Sequence, residues 1–411
     1  MRHILKPLLR HPLMPLLVLL QVAIACAIAC NALFLLQQKL APLLADDGIG
    51  QPDRLVMVTG VVARGQPWSS ARLLGVQQAL QALPGVGAAS VASSLPMQTA
   101  ANFNGNVVAA ETHVGAGVAV YIGSDLVDAL GLRLVAGRNF SMEEQTLQYH
   151  GVGISDSGPA IITRALAQRL FPKGDALGKV IRIGTDADAG SRTVVGVVAH
   201  LMRNDFGAGN DASLDYTMLF PGVPGNWPLP MFAVRVAPGA DVARVRKAVA
   251  DAIQSELGAD MMTGMKPSVQ MYAGLRDHAM AQSRAAVWLL AGVSVVVLIV
   301  TLAGIMGLTS YWVQQRTRQI GIRRALGARR YHILHELQLE NLLVVGAGVL
   351  LGLLAAFAIN LWLMRHYELT RLPWSYLPYG AVLMLLLGQL AVLSPALRAS
   401  RVPPVVATRS V

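Results

Sequence analysis

The sequence predicts an α-helical membrane protein with four transmembrane helices, one before and three after a large α+β extracytoplasmic domain. Three observations predict it. Charge is scarce, with 14% of the 411 residues charged against about a quarter in an ordinary soluble chain. The scarcity is also local: His11–Gln38, Ala285–Gln315, Asn341–Met364 and Leu372–Leu397 contain no Asp, Glu, Lys or Arg. A helix needs about 20 apolar residues to cross a hydrocarbon core of roughly 30 Å, and each stretch exceeds that. Finally, the net charge of +11 sits in clusters: +3 in Met1–Pro12, +6 with no acid in Val313–His335, and +3 in the tail from Arg398. The long segment Lys39–Arg284 balances 20 basic against 20 acidic residues. Lys and Arg gather in short cytoplasmic segments beside spans. Both ends and residues 313–335 are therefore expected in the cytoplasm, and the neutral segment outside it.

Taken in order, residues 1–12 read as a cytoplasmic N-terminus and 13–36 as the first span. The basic start followed by apolar sequence also suits a secretory leader. Leader cores are only about 7–15 residues long, whereas this run continues to Phe34, Leu35 and Leu36. A retained anchor is expected. Its Cys26 and Cys30, the only two cysteines, share a helix face and read as small buried apolar residues rather than a metal or redox pair.

Residues 37–284 form the expected exported domain. Without cysteines it has to be held by its own core, for which its length suffices. Two parts share a strand–helix–strand pattern. In the first, about 50–99, Arg54–Val62 reads as a strand. Ser69 or Ser70 then caps a helix running to about Leu83, and Val86–Leu95 returns as a strand. In the second, about 228–275, Met231–Val236 is a strand. Asp241 caps a helix with Val242, Val245, Val249, Ile253 and Leu257 at helical spacing, and Ser268–Met271 returns. Two such units suggest halves meeting in one sheet. Between them, about 100–227, lie Gly-rich turns, short strands (Val107–Ala110, Val118–Ile122, Val180–Ile183, Thr193–Val198) and a helix at Arg164–Leu170. This piece reads as an inserted β-rich subdomain.

The remaining spans are placed at 285–312, 341–364 and 374–397. A cytoplasmic segment, 313–337, separates the first two of these, and 398–411 is a cytoplasmic tail. Gln21, Asn31, Asn360 and Gln389 are the main polar residues in the apolar stretches and are expected to bridge helices. Ion-coupled carriers place ionisable groups inside their spans, and four spans do not suit an inverted repeat. Energy is expected from elsewhere.

Catalytic patterns are lacking. Lys173–Val180 has three residues between its glycines and Val180 after Lys179, whereas a phosphate-binding loop needs four, and Ser or Thr after the lysine. His332, His335 and Glu336 stand in the wrong order for a zinc-protease helix. The clustered charge argues against a nucleic-acid partner, because it lies beside spans rather than on one face of a domain. The chain is expected to be non-enzymatic and to bind no cofactor or metal.

The segment Arg316-Thr317-Arg318-Gln319-Ile320-Gly321-Ile322-Arg323-Arg324-Ala325-Leu326-Gly327-Ala328-Arg329-Arg330, continued at Leu339-Glu340, resembles the cytoplasmic motif of MacB/FtsX-like ABC permeases. Tyr121–Leu126, Leu130–Leu132, Ala136–Phe140, Ala160–Pro172, Leu177–Lys179 and Val194–Val198 resemble that family's periplasmic core domain. On residues alone, the cytoplasmic segment suits either anionic lipid or a groove on a partner. It offers an apolar strip (Ile320, Ile322, Leu326, Ile333, Leu337) beside six arginines.

The resemblance implies docking on a separate ABC ATPase dimer, which would bind the ATP and magnesium. The coupling residues it implies are Arg318, Ile320, Gly321, Ile322, Arg323, Arg324, Leu326, Gly327, Arg329 and Arg330. It further implies a bacterial inner-membrane location and a second permease, another copy or a distinct paralogue. Motion would pass through the first two spans to the exported domains, with a periplasmic adaptor and an outer-membrane channel as further partners. Within the family, efflux of a peptide, antibiotic or similar compound, release of lipoproteins, and FtsX-like regulation of cell-wall hydrolases stay open. A receptor or scaffold that transports nothing is the reading from another class. Gln319, Pro403, Val406 and Thr408 depart from the family pattern.

Overall fold

The computed structural model describes residues 13–98, 103–150, 157–184, 190–204, 213–317, 320–322, 329–367 and 373–400. The chain divides into two compact units, Ala41–Gln282 and the remainder.

Among the described residues, four helices are long and apolar enough to cross a membrane: α1 (Leu13–Leu44), α7 (Tyr272–Gln315), α8 (Arg330–Tyr367) and α9 (Tyr376–Ser400). Helices α7 and α8 are much longer than the apolar stretches that mark them. At 1.5 Å per residue, the 44-residue α7 is about 66 Å long, twice a hydrocarbon core. Residues 272–284, before the apolar stretch, are the start of the same helix.

Within their own unit these helices pack through small residues. A Cβ on Gly348 would lie 2.9 Å from the Leu19 carbonyl oxygen, and one on Gly352 2.6 Å from that of Ala23, so α8 meets α1 backbone to backbone. Spacing of four places both glycines on one stripe, the small-residue contact of membrane helices. Cys26 and Cys30 are buried and unbridged. Cys26 fills this seam against Gly352, and Cys30 meets Gly380 on α9. Gln21 Nε2 donates to the Val300 carbonyl (3.2 Å) and Asn31 Nδ2 to that of Ala356 (3.3 Å). These two residues bridge helices as expected. Gln389 Nε2 is buried without a partner.

Among the described residues the second unit has thirteen strands. They are β1 (Leu55–Thr59), β2 (Val86–Ala92), β3 (Phe103–Ala109), β4 (Gly115–Gly123), β5 (Leu134–Gly137), β6 (Gln148–His150), β7 (Gly158–Thr163), β8 (Val180–Ile183), β9 (Ser191–Val198), β10 (Thr217–Pro221), β11 (Val223–Gly225), β12 (Met231–Val236) and β13 (Ser268–Met271). Eleven of them form one sheet, while β6 and β11 pair apart. The order β2-β12-β1-β13 joins the two halves, with β12 antiparallel to both β1 and β2.

Two helices cover one face of these four strands. In α2 (Ser70–Gln81), Leu73, Val76 and Leu80 are buried. In α6 (Val242–Leu257), Val245, Val249, Ile253 and Leu257 are buried. Ser69 caps α2 through the Arg72 amide, and Asp241 caps α6 through the amides of Ala243 and Arg244. These caps satisfy N–H groups that the helices leave free.

The β-rich piece expected between the halves shares their sheet. Its strands β10-β7-β9-β8-β3-β4 continue the same sheet, joined to β2 through Ala92↔Gly123. Only glycine fits that joint, because a Cβ on Gly123 would stand 2.8 Å from both Ala92 Cβ and the Val91 carbonyl oxygen. Parallel pairs β7–β9 and β4–β10 complete the piece. Beside α5 (Arg164–Leu170), it carries two short helices that the sequence reading did not expect, α3 (Leu126–Leu130) and α4 (Met142–Gln145). A core shared by both parts unites Met57, Leu95 and Ala233 with Tyr121, Leu130, Leu219 and Tyr272.

Candidate functional site

The basic segment lies between the end of α7 and the start of α8. After Gln315 the chain keeps helical turns: the Arg316 amide donates to the Val313 carbonyl (3.1 Å) and the Ile320 amide to that of Arg316 (2.9 Å). The Arg316 side chain turns inward. Its Nη1 lies 2.9 and 3.2 Å from the two carboxylate oxygens of Glu340, and its guanidinium sits over the Trp312 ring at 4.2 Å. The Glu340 side chain is only 2% exposed and that of Arg316 17%. One edge of the segment is thus pinned by a buried ion pair stacked on an aromatic face.

Ile320 and Ile333 pack together with Val313 and Leu337 beside this pair. Ile333 and Leu337 are four apart on α8, so one stripe of the helix presents both. The expected apolar strip therefore splits. Ile320, Ile333 and Leu337 close on each other within the chain. Ile322 is 46% exposed. Gly321 is buried, Arg329 and Arg330 are exposed, and Tyr331 stacks on His335 with ring centroids 5.7 Å apart. Arg318, Arg323, Arg324, Leu326 and Gly327 lie outside the described residues, as do Gln319, Pro403, Val406 and Thr408.

Sequence reasoning found the arginines and missed the partner that orients the first of them. Glu340 is an acid at the entrance to an apolar span, where an unpaired carboxylate is costly. That signal, with Arg316 as the nearest basic residue past the preceding span, could have found the pair. The Gly348–Gly352 spacing was an equally visible sign of helix contact.

In the Ala41–Gln282 unit, motif residues serve as ties. The Tyr121 hydroxyl lies 2.9 Å from the Met202 carbonyl oxygen and 2.7 Å from Asn204 Oδ1, and Asn204 Nδ2 donates to Leu95. Burial pushes the Tyr121 pKa up, so it stays a neutral donor. Arg138 grips Glu144 through two 2.8 Å bonds and holds its pKa down at about 2. Lys179, in the loop that superficially suits phosphate, instead pairs with Glu111 at 2.7 Å. Among the described residues no group of three or more His, Cys, Asp or Glu is placed to hold a metal.

Residues 22–252 match the family of MacB-like periplasmic core domains, and residues 291–404 match the FtsX-like permease C-terminal family. The macrolide export ATP-binding/permease protein MacB of Chromobacterium violaceum is 28% identical over 58% of this chain and 34% of that protein. That of Agrobacterium fabrum is 29% identical over 58% and 35%. The chain thus spans about a third of the length of these relatives. An ABC transporter permease of Bacillus subtilis, YvrN, is 25% identical over 70% of this chain and 69% of that one. The solved periplasmic region of MacB from Actinobacillus actinomycetemcomitans covers 58% of this chain at 14% identity and a TM-score of 0.36.

Proposed function

The chain belongs to the MacB/FtsX-like ABC permease family, and on that premise we propose that it is the non-catalytic permease subunit of an ATP-driven exporter. It works beside a separate ABC ATPase dimer that holds the ATP and magnesium. The observation that carries this reading is the order of parts on one chain. A MacB-like core domain lies between the first apolar helix and three more, and an arginine-rich segment joins α7 to α8.

In this account the chain sits in a bacterial inner membrane among lipids, with residues 41–282 in the periplasm and the 313–337 segment in the cytoplasm. It pairs with a second permease, another copy or a paralogue. ATP binding and hydrolysis shift the cytoplasmic ends of α7 and α8, and α1 and α7 carry that motion to the exported unit. The cargo is a peptide, antibiotic or similar compound taken from the periplasm through an adaptor and an outer-membrane channel. Motion of this kind needs helices that slide or tilt between two packings, and the long α7 suits it.

Docking uses Ile322 and Leu326 for apolar contact, and Arg318, Arg323, Arg324, Arg329 and Arg330 for charge. Ile320 and Gly321 support it from inside. The test is Leu326→Asp in the assembled transporter. Membrane insertion is expected to persist, while ATPase binding and ATP-driven export are lost. Unchanged binding and export in that variant would remove the coupling role.

A further inference from the structure

Asp47 follows α1 by three residues and is 7% exposed. Its carboxylate, just past the end of α1, gathers groups from α7 and from its own loop. The Tyr272 hydroxyl donates to Oδ2 at 3.0 Å, Arg276 Nε forms an ion pair with the same oxygen at 2.9 Å, and the Ile49 amide donates to Oδ1 at 3.0 Å. Arg276 reaches further, donating from Nη2 to the Ala45 carbonyl at the end of α1. One carboxylate therefore joins the exit of α1 to the first turn of α7.

Residues 47–50 are also fixed on their other side. The Met202 amide donates to the Asp47 carbonyl (3.1 Å), and the Gly50 amide to that of Leu130 at the end of α3 (3.2 Å). Gly48 takes φ +81°, and a Cβ there would stand 2.1 Å from the His200 carbonyl oxygen. Arg235 donates from Nη1 to the Gly50 carbonyl and from Nε to those of Asp128 and Ala129. Tyr272 is fully buried in the core it shares with Leu201, Met202, Leu126 and Leu130.

A buried ion pair rarely adds stability over apolar residues of the same shape. What it does impose is geometry. We propose that Asp47 is a positioning residue, a clasp that locks the exits of α1 and α7 together. The clasp passes their joint displacement to the 200–204 strap and α3, so that helix motion moves the exported unit instead of slipping past it. The clasp stays closed throughout the ATP cycle. This inference rests on the ATP-driven reading above.

The experiment uses the whole permease–ATPase complex in nanodiscs, with Cys26 and Cys30 replaced by alanine. Spin labels are placed in two arrangements. One joins Lys173 on this chain to the matching site on the second permease; the other joins Lys173 to Gln282 within this chain. In the parent protein, ATP is expected to change the distance between the two exported units and leave the within-chain distance fixed. In Asp47→Asn and Arg276→Gln, the change between units is lost and the within-chain distance becomes ATP-dependent. The complex still assembles and hydrolyses ATP, and Arg276→Lys restores the parent pattern. A residue that is merely structural would instead broaden the within-chain distance without nucleotide and lower the Tm. A parent complex showing no ATP-dependent change would sink the driven-permease reading and the clasp with it. A normal change between units in Asp47→Asn, with the within-chain distance still fixed, would overturn the clasp alone.

Discussion

Removing Arg316 should cost far more than neutralising its partner. In Arg316→Ala, the Glu340 carboxylate loses both contacts (2.9 and 3.2 Å) while its side chain stays 2% exposed. Stranding one charge of a buried pair costs about 3–5 kcal/mol, within which the lost stacking on Trp312 accounts for roughly 1 kcal/mol. At 1.4 kcal/mol per tenfold, 3 kcal/mol corresponds to a roughly hundredfold loss in the closed population of this junction. Glu340→Gln behaves differently. It keeps the shape and leaves an arginine that is already 17% exposed and stacked on an aromatic ring. The cost there is about 1–2 kcal/mol. The two changes share one interaction, so the double variant should cost much less than their sum. Hydrogen exchange of amides 329–340 in nanodiscs reads the closed population for all four members of the cycle. Strict additivity, or a cost below about 1 kcal/mol for Arg316→Ala, would refute a buried pair.

Two other predictions concern the exported unit. Gly123→Ala forces a Cβ against Ala92 and the Val91 carbonyl, both at 2.8 Å, and should destabilise the chain by about 1–3 kcal/mol, read by thermal unfolding. Glu144 has its folded pKa lowered to about 2, chiefly by Arg138, so its contribution is present above the ordinary value of 4.5 and is lost as pH falls towards 2. Arg138 is 54% exposed, which holds the effect to about 1 kcal/mol or less. The difference in Tm between the parent chain and Glu144→Gln should shrink over that pH range.

Local pattern carried the sequence reading where the determining contacts are local. Met231–Val236, Val180–Ile183, Ser268–Met271 and Arg164–Leu170 appear with the limits their periodicity implied. The strand expected to reach Val62 stops at Thr59, where Gly60 turns with φ +72°. What pattern could not supply is pairing across distance. Nothing within β4 announces β10, about a hundred residues later, as its parallel neighbour. The same limit applies at the cytoplasmic segment. Helical spacing there marks Ile320, Ile333 and Leu337 as one apolar stripe, but the same stripe suits an internal seam or an external groove. Only the fold distinguishes these, and it closes the three residues on each other. Arg316 was legible as part of a basic motif, whereas Glu340, 24 residues later, gains its meaning from the turn between two helices.

The central claim is that the exposed part of this segment meets an ABC ATPase in the cytoplasm. A photo-crosslinking residue placed at Ile322, which is 46% exposed, tests it in intact cells, with a matched probe at Lys173 on the exported unit. The account predicts that Ile322 captures a protein carrying the phosphate-binding loop of an ABC ATPase, and that Lys173 captures none. An ATPase adduct from Lys173, or an Ile322 probe that reaches lipid and no ATPase while export proceeds, would contradict it.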